Sequence, residues 1–355
     1  MNVCFPRLIK HGVIKFGMHL GNGPKLSGNL LCKIDSVHVM QTDKKITNQT
    51  HTYTTMASEP KVLDKGNLSE FLQSYDTFML DCDGTLWEVD HITAIPGIDK
   101  VIHMLNKLGK RILFVTNNSV HSNLNYKLKF QSFGFDASED HIFGVAYATA
   151  VYLKDIAKMD GLVYLVGSPG MASEFSKAGI NYFGFGADPD KASWDPKDLL
   201  EMEFRPNVKA VVVGYDEHFH YNKIYKAASY LQDSECMYVA SNDVEISFPL
   251  GPGRMQPVTG TLVKTVSIAA RREPIVVGKP HPLFLDCVMK KHPEIVKERT
   301  VFNGDSLKAD IGFANNVGID SAFVLTGTHN LNDMNSGEFP KPTYVMQSLA
   351  DILDI

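Results

Sequence analysis

The sequence predicts an α/β fold in which a parallel β-sheet forms a core and a second α/β domain is inserted into that core. Short apolar runs at 77–80, 111–115, 275–277 and 300–303 are typical of buried parallel strands. The first two runs lie close enough in sequence for one helix and a short loop between them. The second and third runs are separated by about 160 residues, far more than a single crossover connection needs.

The first run ends in two aspartates, Asp81 and Asp83, which are followed by Gly84. Ligands of open α/β sheets bind beyond the carboxyl ends of the strands, where these carboxylates are expected. Two neighbouring acids repel each other unless a cation lies between them, and a hard metal such as Mg²⁺ suits carboxylate oxygens. Gly84 permits a sharp turn or a close approach to a ligand. The same string is also compatible with an ordinary Asp-Gly turn after a strand.

Polar side chains follow the other three runs as well. They are Thr116, Asn117 and Asn118 after the second run, Lys279 after the third, and Asp305 with Asp310 after the fourth. Hydroxyl and amide groups can donate hydrogen bonds to an oxyanion. Taken singly, each set also fits a turn, a solvated lysine or a loop. The ordered set of four predicts a phosphoryl-transfer site at one edge of the sheet.

Four segments of the chain match, in order, the motifs of the haloacid dehalogenase superfamily of phosphatases. These segments read DCDGTLW (81–87), TNNS (116–119), GKP (278–280) and GDSLKADI (304–311). The resemblance extends from about Tyr75 to the C-terminus. Four further segments resemble the branch that contains phosphoglycolate phosphatase, pyridoxal phosphate phosphatase and 4-nitrophenylphosphatase, namely 211–224, 260–266, 276–288 and 324–329.

The resemblance implies a role for each candidate residue. Asp81 would be the nucleophile that forms an aspartyl-phosphate, and Asp83 would be the general acid and base. Mg²⁺ would bind the Asp81 carboxylate, the Asp83 backbone carbonyl and Asp305. The substrate phosphate would be bound by Thr116, Asn117, Asn118 and Lys279. Asp310 would orient Lys279 or a metal-bound water. Dehalogenases of this superfamily lack the second aspartate, so Asp83 favours phosphate esters as substrates.

The resemblance also implies a Rossmann-like core with a large cap, of the type inserted between the second and third motifs. The expected organisation is an extension at 1–55, core segments at 56–155 and 274–355, and the cap at 156–273. Within the insert, apolar runs alternate with helical segments, as expected for a small α/β domain. Ser168 lacks the spacing of a nucleophile elbow and is expected to cap a helix.

The chain departs from its branch at three positions. Asn123 and Ser306 stand where the branch usually has arginines, which removes positive charge near the expected site. Phe248 replaces a histidine that is usual in the pyridoxal phosphate enzymes, and this favours phosphoglycolate as substrate. His218 either reaches the substrate or is an exposed histidine at the start of a helix.

Residues 1–55 differ in composition from the rest, with seven Lys or Arg and two Asp or Glu. This basic segment is compatible with a mitochondrial transit peptide, or with a disordered extension before a translation start at Met56. The remainder is acidic, which disfavours nucleic-acid binding. Five cysteines without paired spacing favour a reducing compartment, here the cytoplasm. No apolar run approaches the length of a membrane helix.

These observations predict a cytoplasmic, Mg²⁺-dependent phosphomonoester hydrolase that acts on a small phosphorylated metabolite, with 2-phosphoglycolate as the first candidate. The alternatives are a pyridoxal 5′-phosphate phosphatase, a phosphoprotein phosphatase and an inactive binding protein. A large cap disfavours a phosphoprotein substrate because the phosphorylated residue would have to enter beneath it. Relatives in the branch imply a homodimer that forms through the cap.

Overall fold

The structure is a computed structural model that describes residues 59–244 and 248–354. The predictions made for the extension at 1–55, for a start at Met56 and for the side chain of Phe248 lie outside the described part.

The described strands and helices alternate along the chain. The strands are β1 (Lys61–Val62), β2 (Thr77–Leu80), β3 (Arg111–Thr116), β4 (Ile142–Gly144), β5 (Leu162–Val166), β6 (Tyr182–Phe183), β7 (Val208–Val213), β8 (Met237–Ala240), β9 (Phe248–Gly251), β10 (Arg254–Gln256), β11 (Ile275–Val276), β12 (Thr300–Gly304), β13 (Asp320–Val324) and β14 (Tyr344–Met346). The α-helices are α1 (Leu68–Ser74), α2 (Ile98–Lys107), α3 (Asn123–Ser132), α4 (Val145–Val151), α5 (Pro169–Lys177), α6 (Pro196–Glu201), α7 (Tyr221–Tyr230), α8 (Thr259–Ala270), α9 (Leu283–Lys291), α10 (Gly312–Val317) and α11 (Leu331–Asn335). Short 3₁₀ segments lie at Glu139–His141, Lys297–Arg299 and Leu349–Asp354, and single π-helical turns at Tyr152–Ile156 and Leu307–Ile311.

Strand β2 lies in the interior of the first sheet, between β12 and β3. Within the described ranges this sheet has seven strands in the order β1-β14-β13-β12-β2-β3-β4, and all of its neighbouring pairs are parallel. All four residues of β2 are buried, as expected for a strand covered on both faces. The predicted parallel core is therefore confirmed, and the carboxyl ends of β2, β3 and β12 lie side by side.

A second parallel sheet lies in the inserted part of the chain, in the order β11-β8-β7-β5-β6. Its helices follow its strands in sequence, so the α/β character predicted for the insert is confirmed. The run at 275–277 differs from the prediction, because Ile275 and Val276 pair with β8 of this second sheet rather than with the core. The backbone N–H groups of Val277 and Gly278 continue the pairing by donating to Ala240 and Ser241.

One hydrophobic cluster is shared by the two sheets. Met79 and Leu113 of the core belong to it, together with Leu165 and Val212 of the second sheet. The opposite face of the core sheet carries a separate cluster that contains Phe78 and other alternating strand residues. Shared apolar burial of this kind stabilises the packing between the two parts.

Strands β9 and β10 form a separate antiparallel pair. Among the helices in the described ranges, none combines the length and the apolar character that crossing a bilayer requires.

Candidate active site

Asp81 is the first residue after the interior strand β2. Its backbone N–H donates to the carbonyl of Asn303 at 2.8 Å, which extends the pairing of β2 with β12 by one residue. Its carboxylate is buried, and Oδ1 accepts a hydrogen bond from Lys279 Nζ at 2.7 Å. Burial raises the pKa of Asp81, the neighbouring Asp310 raises it further, and Lys279 opposes both.

Lys279 reaches this point from the loop that follows β11 of the second sheet. Its ammonium group is buried and donates to Asp81 Oδ1, to Asp310 Oδ1 and to the carbonyl of Val115, at 2.7, 2.7 and 2.8 Å. Burial disfavours its charge, but the carboxylates of Asp310 and Asp81 outweigh this effect and raise the pKa of Lys279. A fully paired ammonium is therefore maintained inside the site.

Three buried carboxylates converge beside this lysine. Oxygen atoms of Asp81, Asp305 and Asp310 lie within 4.8 Å of one another. Burial, followed by the charge of Asp310, raises the pKa of Asp305 to about 7. One ammonium cannot neutralise three carboxylates, so the cluster has the charge and the hard oxygen donors that suit Mg²⁺.

Two glycines leave room for the Asp305 carboxylate. Gly84 has φ of 77°, and a Cβ atom built on it would overlap Asp305 Oδ2. A Cβ atom on Gly327 would overlap the same oxygen. Beside them, the backbone N–H of Thr328 donates to Asp305 Oδ2 at 2.5 Å. The carboxylate is thus held by backbone on one side and faces Asp81 and Asp310 on the other.

The carboxylate of Asp83 is surrounded by hydrogen-bond donors. Trp87 Nε1 donates to Oδ1 at 2.5 Å, His91 Nδ1 lies 2.7 Å from the same oxygen, and Asn118 Nδ2 donates to Oδ2 at 3.3 Å. Burial alone would raise the pKa of Asp83, but the bonds from His91 and Trp87 outweigh it and lower the pKa. The bond to Asp83 raises the pKa of His91 in return. Sequence reasoning missed His91, which lies eight residues from Asp83 in an irregular loop.

The residues at the end of β3 and in the loop after it bond to one another and to Lys279. Thr116 is buried, and its Oγ1 accepts a bond from the N–H of Asn118 at 3.1 Å. The side chain of Asn117 bonds both backbone groups of Lys279, donating to its carbonyl at 2.7 Å and accepting from its N–H at 2.8 Å. Asn117 was predicted to bind the substrate phosphate. In the structure, its amide holds the loop that carries Lys279 against the end of β3.

The loop 116–121 also contacts the second sheet. Ser168 caps α5, as predicted, because its Oγ accepts from the N–H of Met171. The same hydroxyl donates to the carbonyl of Ser119, and the N–H of Gly170 donates to Val120 at 3.0 Å. Asn242, after β8, donates to the carbonyl of Asn117 at 2.9 Å. The bonds of Ser168 to Ser119 and of Asn242 to Asn117 join residues 49 and 125 positions apart, and no sequence pattern indicated them.

Two of the three positions that depart from the branch, Asn123 and Ser306, have hydrogen-bond partners among the described residues. Asn123 begins α3, with its side chain donating to the carbonyl of Ile142 at 2.5 Å and its N–H donating to buried Glu174 at 2.7 Å. Ser306 accepts from the N–H of Ala309 at 3.2 Å and so caps the turn 307–311. His218 is half-exposed and precedes α7, whose N-cap is His220.

The chain is similar to known proteins in sequence and in fold. A family model described as haloacid dehalogenase-like hydrolase matches residues 78–181, and a related HAD-hydrolase-like model matches residues 276–352. Glycerol-3-phosphate phosphatase of Rattus norvegicus is 37% identical over 298 residues, which cover 79% of this chain and 91% of that protein. Phosphoglycolate phosphatase 1A, chloroplastic, of Arabidopsis thaliana is 34% identical, with 81% and 79% covered. The solved structure of p-nitrophenyl phosphatase from Archaeoglobus fulgidus superposes with a TM-score of 0.67 at 26% identity, covering 79% of this chain and 99% of that one.

Proposed function

This chain belongs to the haloacid dehalogenase-like hydrolases and is a phosphatase, and we propose that it hydrolyses small phosphomonoesters through a phosphoaspartate on Asp81. The observation that carries the proposal is the convergence of three side chains. Asp81 and Asp305 follow the adjacent strands β2 and β12, and Lys279 reaches them from the loop after β11 of the second sheet. Lys279 Nζ bridges Asp81 and Asp310 at 2.7 Å, and Asp305 completes the carboxylate cluster.

In the first half of the reaction, an Asp81 carboxylate oxygen attacks phosphorus. The bond from phosphorus to the ester oxygen breaks with its electron pair on that oxygen, and Asp83, protonated at this stage, donates its proton there. An alcohol leaves, the phosphoryl group is carried by Asp81, and Asp83 is left as a carboxylate. Lys279 and Thr116 stabilise the charge on the phosphoryl oxygens.

In the second half, water replaces Asp81 on phosphorus. The Asp83 carboxylate takes a proton from this water while its oxygen bonds to phosphorus, and the bond from phosphorus to the Asp81 oxygen breaks. Inorganic phosphate forms, Asp81 is again a carboxylate and Asp83 is again protonated. The bonds from Trp87, His91 and Asn118 favour the carboxylate form of Asp83 that this step needs.

We propose that Asp81, Asp305 and the backbone carbonyl of Asp83 hold Mg²⁺, with Asp310 orienting Lys279. The raised pKa values of Asp81 and Asp305 support this assignment, because they mark carboxylates that lack sufficient positive charge. Mg²⁺ bound there would neutralise negative charge as phosphate approaches the nucleophile.

For the substrate, we propose a small alkyl phosphate, with 2-phosphoglycolate and glycerol 3-phosphate as the two candidates. Relatives at 34% and 37% identity carry these two activities in their names. Pyridoxal 5′-phosphate, a phosphoprotein and a purely binding function are the remaining alternatives. The intact set of Asp81, Asp83, Lys279 and Asp305 disfavours a purely binding function.

A homodimer through the second α/β domain and a cytoplasmic location also remain proposals. The exposed apolar side chains Trp194 and Leu200 of this domain are candidate contact residues for the dimer. Light scattering would test it. The free buried thiols of Cys82, Cys236 and Cys287 support a reducing compartment, which fractionation would test.

The test of the catalytic proposal is phosphate release with Mg²⁺ from a panel of esters, with Asp81→Asn as the control. The panel comprises 2-phosphoglycolate, glycerol 3-phosphate, pyridoxal 5′-phosphate, 4-nitrophenyl phosphate and a phosphopeptide. Release that disappears in Asp81→Asn would support the proposed nucleophile, and the preferred ester would identify the substrate. Release that persists in folded Asp81→Asn would refute the mechanism.

A further inference from the structure

His91 approaches the Asp83 carboxylate from a loop outside the central strands. Its Nδ1 lies 2.7 Å from Asp83 Oδ1, and half of its side chain is exposed. This contact belongs to the residue that must deliver a proton to the leaving oxygen.

The loop 88–95 is closed by backbone hydrogen bonds. Trp87 and Ala94 form an antiparallel bridge, and the N–H of Ile95 donates to Leu86 at 3.0 Å. Within the loop, the carboxylate of Asp90 accepts from the N–H groups of Ile92 and Thr93 at 2.8 and 2.9 Å. This turn fixes the backbone on the C-terminal side of His91.

His91 itself adopts a left-handed backbone conformation, with φ of 62°. This region is unfavourable for residues other than glycine, although asparagine, aspartate and histidine occur there more often than most. The N–H of His91 donates to the carbonyl of Glu88 at 3.0 Å, which holds the conformation. The strained backbone places the imidazole over Asp83, and strain of this kind is retained where a contact requires it.

The second donor to the same oxygen is fixed by packing. Trp87 is buried and stacks on Tyr126 at 6.3 Å between ring centroids, and the ammonium of Lys129 lies 3.4 Å from the Trp87 ring centroid. Trp87 and His91 both contact Asp83 Oδ1, and Asn118 Nδ2 donates to Oδ2. A carboxylate bonded at both oxygens keeps a single orientation.

We propose that His91 is a positioning residue that orients Asp83 for proton transfer to the leaving oxygen. The inference rests on the proposed function, because it assigns Asp83 the role of general acid. Loss of the imidazole lets the Asp83 carboxyl group turn away from the leaving oxygen. This loss of orientation weakens protonation of the leaving group, even though the bond from His91 favours the carboxylate form of Asp83, while attack by Asp81 is unchanged. The effect depends on the ester, since a poor leaving group needs the proton and 4-nitrophenolate departs without it.

The test compares phenyl phosphate with 4-nitrophenyl phosphate, two esters of similar size and different leaving-group basicity. The variants are His91→Gly, which relaxes the left-handed backbone and removes the donor, and His91→Asn, which tolerates this backbone and restores a donor near the Nδ1 position. Ile92→Ala, at a neighbouring side chain that is 77% exposed, is the matched control. The quantity measured is kcat/KM, which reports the steps up to departure of the first product.

We expect His91→Gly to lower kcat/KM by about tenfold for phenyl phosphate and by less than about twofold for 4-nitrophenyl phosphate. His91→Asn should recover most of the loss, and Ile92→Ala should match the wild type. Equal losses on both esters, no loss on either, or no recovery in His91→Asn would overturn the inference while leaving the phosphatase mechanism intact. Absence of hydrolysis by the wild-type protein would overturn the mechanism and this inference together.

Discussion

Lys279 Nζ lies 2.7 Å from Asp81 Oδ1 and is shared with Asp310 Oδ1 at the same distance. The proposed nucleophile is thus paired with an ammonium that comes from a loop of the second sheet. Because Asp305 lies in the same cluster, one positive charge faces three buried carboxylates. This imbalance determines how the protein should respond to mutation, metal and pH.

Replacement of Lys279 by methionine should destabilise the fold as well as abolish phosphatase activity. Removing one partner of a buried ion pair leaves the other charge without compensation and costs about 3–5 kcal/mol. Urea unfolding of Lys279→Met should therefore show a fall of this order in the free energy of unfolding. Lys264→Met is the matched control, because the Lys264 side chain is 60% exposed. Equal stability of the two variants would contradict a buried, charged Lys279.

Mg²⁺ should stabilise the folded protein, and Asp305 should carry much of that effect. A ligand that binds the native state alone adds about 2.7 kcal/mol at a concentration of one hundred times Kd. Thermal unfolding in EDTA and in excess Mg²⁺ would measure the shift in Tm for wild type and for Asp305→Asn. The variant should need much higher Mg²⁺ for the same shift. An identical Mg²⁺ dependence in both proteins would exclude Asp305 as a ligand.

The stability of the metal-free protein should depend on pH through Asp305. Its pKa is raised to about 7 in the folded state, against a usual value near 4, so the folded state binds the extra proton. The stabilisation from this group is complete below about pH 4 and is lost as pH rises through about 7. Urea unfolding in EDTA at pH 5 and pH 7.5 should show this decrease in wild type and a smaller one in Asp305→Asn. Mg²⁺ competes with the proton for Asp305, so the stabilising effect of Mg²⁺ should increase as the pH rises from 5 to 7.5. A pH dependence that is unchanged in Asp305→Asn would assign it to other groups.

The residues of the central cluster could be predicted from sequence because parallel strands end at one edge. Asp81 follows a run that is buried on both faces, and the same pattern precedes Asp305. A strand that is buried on both faces consists of consecutive apolar residues, so the first polar residue after the run marks the end of the strand. Because β2 and β12 are adjacent and parallel, the residues that follow them lie close together.

The partners of these residues could not be predicted in the same way. Ile275–Val276 is too short for its apolar pattern to specify a sheet, and it pairs with β8 instead of the core. The contact of His91 with Asp83 depends on a left-handed loop conformation that many sequences could adopt. The amide of Asn117 has four hydrogen-bonding positions, and nothing in its spacing indicates that it bonds the backbone of Lys279.

Gly327→Ala tests whether the space beside Asp305 is needed. Gly327 does not have a positive φ, so alanine is acceptable to the backbone, but its Cβ would overlap Asp305 Oδ2. The carboxylate must then leave its present position beside Asp81 and Asp310, and overpacking of this kind costs about 1–3 kcal/mol. We expect a lower affinity for Mg²⁺ and a kcat reduced by more than about tenfold at fixed Mg²⁺. Gly312→Ala is the control, since that glycine begins α10 and its nearest neighbour, Pro280 Cβ, would be 3.3 Å from the new atom. If Gly327→Ala kept both the Mg²⁺ dependence and the kcat of this control, the position of the Asp305 carboxylate would not limit the reaction.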